Sequence, residues 1–189
     1  MSLRATTSQT VGPYFRIGLS ALYTPDLVGP DVSGERIHLE GKIFDGLGNT
    51  VPDAVIEIWQ ANSYGKYAHP DDWQDQPIES AFRGWGRVPT DESGEFSFHT
   101  IRPGSVPGPD ESWQAPHLEI AILMRGLLRH LVTRVYFSDE LANASDPVLN
   151  LLEPSRRRTL IAKKMGEKRN VFRWDVHLQG QDETVFLDV

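Results

Sequence analysis

His117 and Glu119 stand two residues apart in the run Pro116-His117-Leu118-Glu119-Ile120-Ala121-Ile122. Apolar and other residues alternate there as in a β-strand. Alternate strand residues share a face, so positions 117 and 119 address one spot. A His-x-His pair would offer two imidazoles to one metal ion. Here the second imidazole is a carboxylate. That difference decides whether the chain runs its own chemistry or assists a partner that does.

The elements that position this pair show the period of strands. Ile37, Leu39, Gly41 and Ile43 alternate with His38, Glu40, Lys42 and Phe44. Further strands are expected at Ala54–Gln60, Glu95–Thr100, around His117, and at Leu131–Phe137, Val171–Leu178 and Thr184–Asp188. In the strand around His117, Leu118, Ile120, Ile122 and Met124 make an apolar face; His117, Glu119, Ala121, Leu123 and Arg125 make the other. The most helix-like segment is Pro154–Lys164, with Ser155 as its cap. Residues 1–34 are polar and turn-rich and read as an extended N-terminal arm plus loops; residues 35–189 carry the regular structure. The expected fold class is all-β: a two-sheet β-sandwich with long loops, the arm, and one or two short helices. The long connections 61–93 and 101–115 carry Tyr64, Tyr67, Trp73, Trp85 and Trp113, which either pin loops onto the sandwich or line a site.

The chain has 189 residues, enough for one domain with extensions, and its 16 glycines and 13 prolines suit a turn-rich β protein. A net charge of −7 argues against nucleic acid or an anionic membrane as partner. The run Arg156-Arg157-Arg158 with Lys163-Lys164 reads as a solvated helix face. There is no cysteine, which excludes disulfides and thiolate metal sites. With no signal peptide visible and no apolar stretch near the ~20 residues of a membrane span, the expected location is the cytoplasm.

Several short blocks carry a resemblance. Trp59-Gln60-Ala61-Asn62, Gly65-Lys66-Tyr67, Phe82-Arg83-Gly84-Trp85-Gly86-Arg87, Thr90-Asp91, Thr100-Ile101-Arg102-Pro103-Gly104 and Ala115-Pro116-His117 follow one another in this order. Together they resemble the intradiol aromatic-ring dioxygenases over about residues 8–189. The resemblance implies a β-sandwich and a non-haem ferric iron held by two tyrosines and two histidines. Phenolate oxygens favour the ferric state and imidazoles complete the set. Such an enzyme chelates a catechol and lets dioxygen cleave the bond between the hydroxyl-bearing carbons.

By the resemblance the four ligand positions fall on Tyr67, Val106, His117 and Glu119. Valine has no donor atom, and the second histidine is a carboxylate. This pattern is similar to one chain type within the family, an alpha chain that keeps the fold, has lost the ligands, and shapes the active site of a homologous iron-bearing beta subunit. The ferric iron would then sit in the partner, with none in this chain, and the assembly would be a hetero-oligomer acting on a small aromatic acid and dioxygen. The blocks Ser8-Gln9-Thr10-Val11-Gly12-Pro13-Tyr14 and Thr184-Val185-Phe186-Leu187-Asp188 support it. The resemblance further implies that Thr10, Gly12, Pro13 and Tyr14 line the partner's pocket and that Arg125 binds the substrate carboxylate, where a guanidinium suits a desolvated anion.

Blander readings stand beside these. His117 and Tyr67 also fit a structural histidine and a loop anchor, and Arg125 a solvated cation at a strand end. Tyr67, His117 and Glu119 alternatively make a credible three-ligand iron site in a self-sufficient enzyme. A β-sandwich binding or scaffold module is the third possibility. His38, His69, His99, His130 and His177 lie apart along the chain and read as structural.

Overall fold

Strand alternation in the sequence becomes a curled pair of sheets. The computed structural model describes residues 5–166 and 170–188. Along them run α1 (Tyr14–Gly18), β1 (Arg36–Phe44), β2 (Val55–Trp59), β3 (Trp85–Pro89), β4 (Glu95–Ile101), β5 (Val106–Pro107), β6 (Trp113–Gln114), β7 (His117–Leu123), β8 (Leu131–Phe137), α2 (Pro154–Arg157), β9 (Ile161–Lys164), β10 (Val171–Arg173) and β11 (Val176–His177). One sheet is ordered β3-β2-β7-β8 and antiparallel throughout. The other holds β4, β1, β10 and β9, with β11 beside the far end of β1.

Strand β9 belongs to both. Ile161 and Ala162 pair with Tyr136 and Phe137 of β8, while Lys163 and Lys164 pair with Arg173 and Phe172 of β10. The inner faces bury Leu39 and Ile43 of β1, Ile56 and Ile58 of β2, Phe96 and Phe98 of β4, Leu118, Ile120 and Ile122 of β7, Val135 and Phe137 of β8 and Phe172 of β10 in one cluster. This is the expected all-β, sandwich-like architecture with short helices. The 3.6-residue period is confined to α1 and α2, so packed apolar sheet faces supply the stabilising burial.

The expected helix over Pro154–Lys164 is corrected. Only Pro154–Arg157 is α-helical, followed by a 3₁₀ turn at Arg158–Leu160, and the rest is β9. Glu153, not Ser155, holds the cap position, with Pro154 at the first helical position, where its missing N–H costs nothing. Lys163 and Lys164 are therefore strand residues. Val171–Leu178 is two short strands interrupted at Trp174 and Asp175. Thr184–Asp188 contributes a single bridge, Val132 to Leu187. Strands β3, β5 and β6 lie inside segments expected to be connections. Residues 5–34 are also more tied down than a free arm. Bridges join Thr24 to Arg87, Asp26 to His99 and Val28 to Phe82, and Leu27 and Val32 are buried.

Candidate functional site

Tyr67 reaches the site on a tightly stitched loop. The Asn62 side chain accepts from the N–H groups of Tyr64 and Lys66 and donates to the Pro77 carbonyl. Lys66 is buried; its ammonium donates to the carbonyls of Asp72 and Gln74 and pairs with the Asp72 carboxylate at 3.2 Å. Asp72 in turn accepts from the Tyr67 N–H at 2.8 Å. Gly65 closes the loop against the segment that leads to β5. Its φ is +78°, and a Cβ there would strike the Ser105 carbonyl. Gly65→Ala should cost about 1–3 kcal/mol in urea unfolding through strain and overlap. A change under about 0.5 kcal/mol would mean that the two loops are not held together here.

The four positions implied for a metal do converge. Tyr67, Val106, His117 and Glu119 line one cavity of about 530 Å³ together with Trp59, Trp73, Gln114 and Arg134. The His117 and Glu119 pair lies on one strand face as expected, Nε2 to Oε1 3.5 Å. His117 is buried, with Nδ1 2.7 Å from the Ala115 carbonyl oxygen. Ala115 is fixed by its N–H donating to Asp146, a fully buried carboxylate that also accepts from Tyr136 and the N–H groups of Val148 and Leu149.

The residue that decides the chemistry is Arg134, which the sequence reasoning missed. It sits on β8 directly opposite Glu119 on β7. One guanidinium nitrogen is 2.7 Å from the Glu119 carboxylate and another donates to the Gln114 side chain at 2.6 Å. The signal was available. Once Leu131–Phe137 is paired as a hairpin with the His117 strand, cross-strand register makes 119 and 134 neighbours.

The charges follow from these contacts. Burial opposes ionisation of Glu119, but His117 and Arg134 outweigh it and hold its carboxyl below the usual carboxylate range. Burial, then the Glu119 charge, push the Tyr67 phenol well above its ordinary value, with Arg134 offsetting only part. Tyr67 stacks tilted on Trp59 at 4.8 Å between ring centroids. These residues do not fit a ferric iron. A buried valine occupies one ligand position, a fixed guanidinium already neutralises the carboxylate at another, and the phenol is biased toward its neutral form. Among the described residues no group of three or more His, Asp or Glu is placed to hold a metal ion.

The other expected site residues lie elsewhere. Arg125 lines a different cavity from His117 and Glu119, which corrects the reading that one strand face carries all three. Strand β7 ends at Leu123, about 20 Å from His117 at ~3.3 Å per residue, and the chain then turns. Arg125 is 70% exposed and pairs with Asp53 at 3.2 Å. What it does meet is the arm. Thr10 accepts from the Gly126 N–H at 2.7 Å, and Gly12, Pro13, Arg125 and Asp53 line one small hollow. Tyr14 beside them is 83% exposed. Arg16 donates to the Thr90 carbonyl and Arg87 lies over the Phe15 ring, so α1 is held on the body.

A sandwich whose long loops line a pocket holding Tyr67 and His117 shares its architecture with solved ring-cleaving dioxygenases. The solved 3-chlorocatechol 1,2-dioxygenase of Rhodococcus opacus 1CP shares the fold with a TM-score of 0.65 at 23% identity, over 80% of this chain and 62% of that one. A family model described as Dioxygenase matches residues 12–180. The chain belongs to the intradiol dioxygenase family. It is 44% identical to the protocatechuate 3,4-dioxygenase alpha chain of Burkholderia cepacia, over 100% of this chain and 99% of that one. To the beta chain of the same organism it is 32% identical, over 80% of this chain and 67% of that one.

Proposed function

We propose that this chain is the non-iron alpha subunit of a protocatechuate 3,4-dioxygenase. In this reading it is a single domain of arm (1–34) and sandwich (35–189), working in the cytoplasm. It pairs with a homologous beta subunit, and that subunit's ferric iron opens the ring of protocatechuate with dioxygen to 3-carboxy-cis,cis-muconate. The observation that carries the proposal is the Arg134–Glu119 ion pair at 2.7 Å, which sets the protein's own cation where a metal's charge would be needed. Full-length similarity to a named alpha chain supports the same reading.

The contribution of this chain is then binding and orientation. Thr10, Gly12, Pro13 and Tyr14 would wall the partner's pocket, and Arg125 would hold the substrate carboxylate. The arm and Arg125 sit together at the end of β7 remote from this chain's own pocket, with Tyr14 and Ile17 exposed, and a surface of that kind serves a neighbour. A net charge of −7 and the absence, among the described residues, of a helix long and apolar enough to cross a membrane accord with a protein partner and a small substrate.

The test is reconstitution. Purified alone, the chain should be colourless, iron-free and inactive toward protocatechuate. Combined with the iron-bearing beta chain it should yield stoichiometric activity. A lone chain with the visible absorption of ferric phenolate and turnover of its own would establish the self-sufficient enzyme instead. No activity in either state would leave a binding or scaffold module.

A further inference from the structure

His38 and His99 are 61 residues apart, yet β1 and β4 set them directly opposite each other. Their backbone groups face away from one another. His38 donates its N–H to Asn170, His99 donates to Pro25, and the His99 carbonyl accepts from Leu27. The two therefore form a non-hydrogen-bonded cross-strand pair, the kind with the closer side chains. The ring centroids are 4.4 Å apart and the two Nδ1 atoms 3.3 Å. On its far side, Nε2 of His38 lies 3.5 Å from the Glu40 carboxylate, which Arg173 approaches at 3.8 Å.

We propose that His38 and His99 form a two-imidazole site for a borderline divalent transition ion, Zn²⁺ or Cu²⁺, on the outer face of the β4-β1-β10-β9 sheet. Three features of the pair point there. Nitrogens 3.3 Å apart, each about 2.0–2.1 Å from a shared ion, subtend roughly 105–110° at it, close to a tetrahedral angle. Imidazole is the ligand these ions share. The third is Glu40. A carboxylate on Nε2 draws the ring proton to that nitrogen and leaves Nδ1 as a lone pair, the outer-shell arrangement that orients metal-binding histidines.

A direct hydrogen bond between the rings also fits 3.3 Å, with His99 Nδ1–H donating to the His38 lone pair that Glu40 favours; an ion at the pair takes the place of that proton as the His99 ring shifts to its Nε2–H tautomer. No third His, Asp or Glu among the described residues converges on the pair, so solvent completes the coordination. Room for it exists. His38 lines a cavity of about 550 Å³ bordered by Tyr23, Asp91, Glu95 and Ser97.

The experiment is a calorimetric titration of Zn²⁺ into the full chain as it purifies, with any partner left in place. Wild type should take up one Zn²⁺ per chain at this site. His38→Gln and His99→Gln should each abolish that uptake, Glu40→Gln should weaken it about tenfold or more, and His117→Gln should leave it unchanged. A urea midpoint, measured alongside, should rise with Zn²⁺ in wild type and in His117→Gln, but not in the two pair variants. Because it responds only to folded protein, the midpoint separates lost binding from lost structure. Uptake that survives in the His38→Gln, His99→Gln double variant, or that disappears only with His117→Gln, would overturn the assignment. Neither arm depends on the chain being a dioxygenase subunit.

Discussion

Arg134→Ala should destabilise the fold by roughly 2–4 kcal/mol near neutral pH. Breaking one side of a buried ion pair costs about 3–5 kcal/mol because the other charge is left desolvated. Arg134 and Glu119 keep 15% and 24% of their side-chain surface exposed, which lowers the expected cost somewhat. The variant also strands the Gln114 side-chain oxygen, which accepts from Arg134 at 2.6 Å. Adding Glu119→Ala should recover part of the loss, since the uncompensated carboxylate is then gone.

The pH dependence has a definite sign. Glu119 titrates below the usual carboxylate range when folded, so its share of stability is present above the unfolded value of about 4.3 and is lost as pH falls through the lower folded value. Acidification therefore removes from the wild type what Arg134→Ala has already removed. The gap between the two proteins in urea unfolding should narrow below about pH 4. An equal gap at pH 7 and pH 3.5, or a gap under about 0.5 kcal/mol at neutrality, would show that the pair does not hold the pocket together.

What the sequence made legible was local. The alternation of Leu118, Ile120 and Ile122 against His117 and Glu119 identified the inward and pocket faces of β7, because a strand's period is read residue by residue. The convergence of Tyr67, Val106, His117 and Glu119 was expected only through the family resemblance that the ordered motif blocks carry, since no local rule joins residues so far apart. What was hidden depended on pairing between distant segments. Strand β3 lay unseen among Gly84, Gly86 and Pro89, residues that mark turns; its place as the sheet's outer strand tolerates them. Lys163 and Lys164 looked like a helix's solvated face, yet they extend β9 across the junction of the two sheets. Arg125 was assigned to the face of His117 by extending alternation past Leu123, where the strand had already ended. His38 and His99 were judged unrelated because no spacing rule reaches across a β1–β4 register.

Arg125→Ala in the assembled enzyme should raise KM for protocatechuate about 10–100-fold and leave iron content unchanged. A charge-assisted hydrogen bond to a carboxylate is worth roughly 1.5–3 kcal/mol, and that corresponds to this range. In the structure Asp53 is the group that competes for the guanidinium, at 3.2 Å. Asp53→Asn should therefore act in the opposite direction and lower KM, an effect that a purely structural role for Arg125 would not produce. Arg125→Lys should fall between, keeping the charge but losing the planar fork. Deleting residues 1–14 tests the other half of the surface. Thr10 is tied to the Gly126 N–H next to Arg125, so loss of the arm removes a support of this loop and, under the proposed function, a wall of the partner's pocket. Turnover should drop about 100-fold, the scale expected when a substrate is held out of position. The sandwich core should lose little stability, because among the described residues those buried in it begin at Leu27. Lost iron with unaltered KM in Arg125→Ala, or full turnover in the truncated complex, would place substrate binding entirely in the partner.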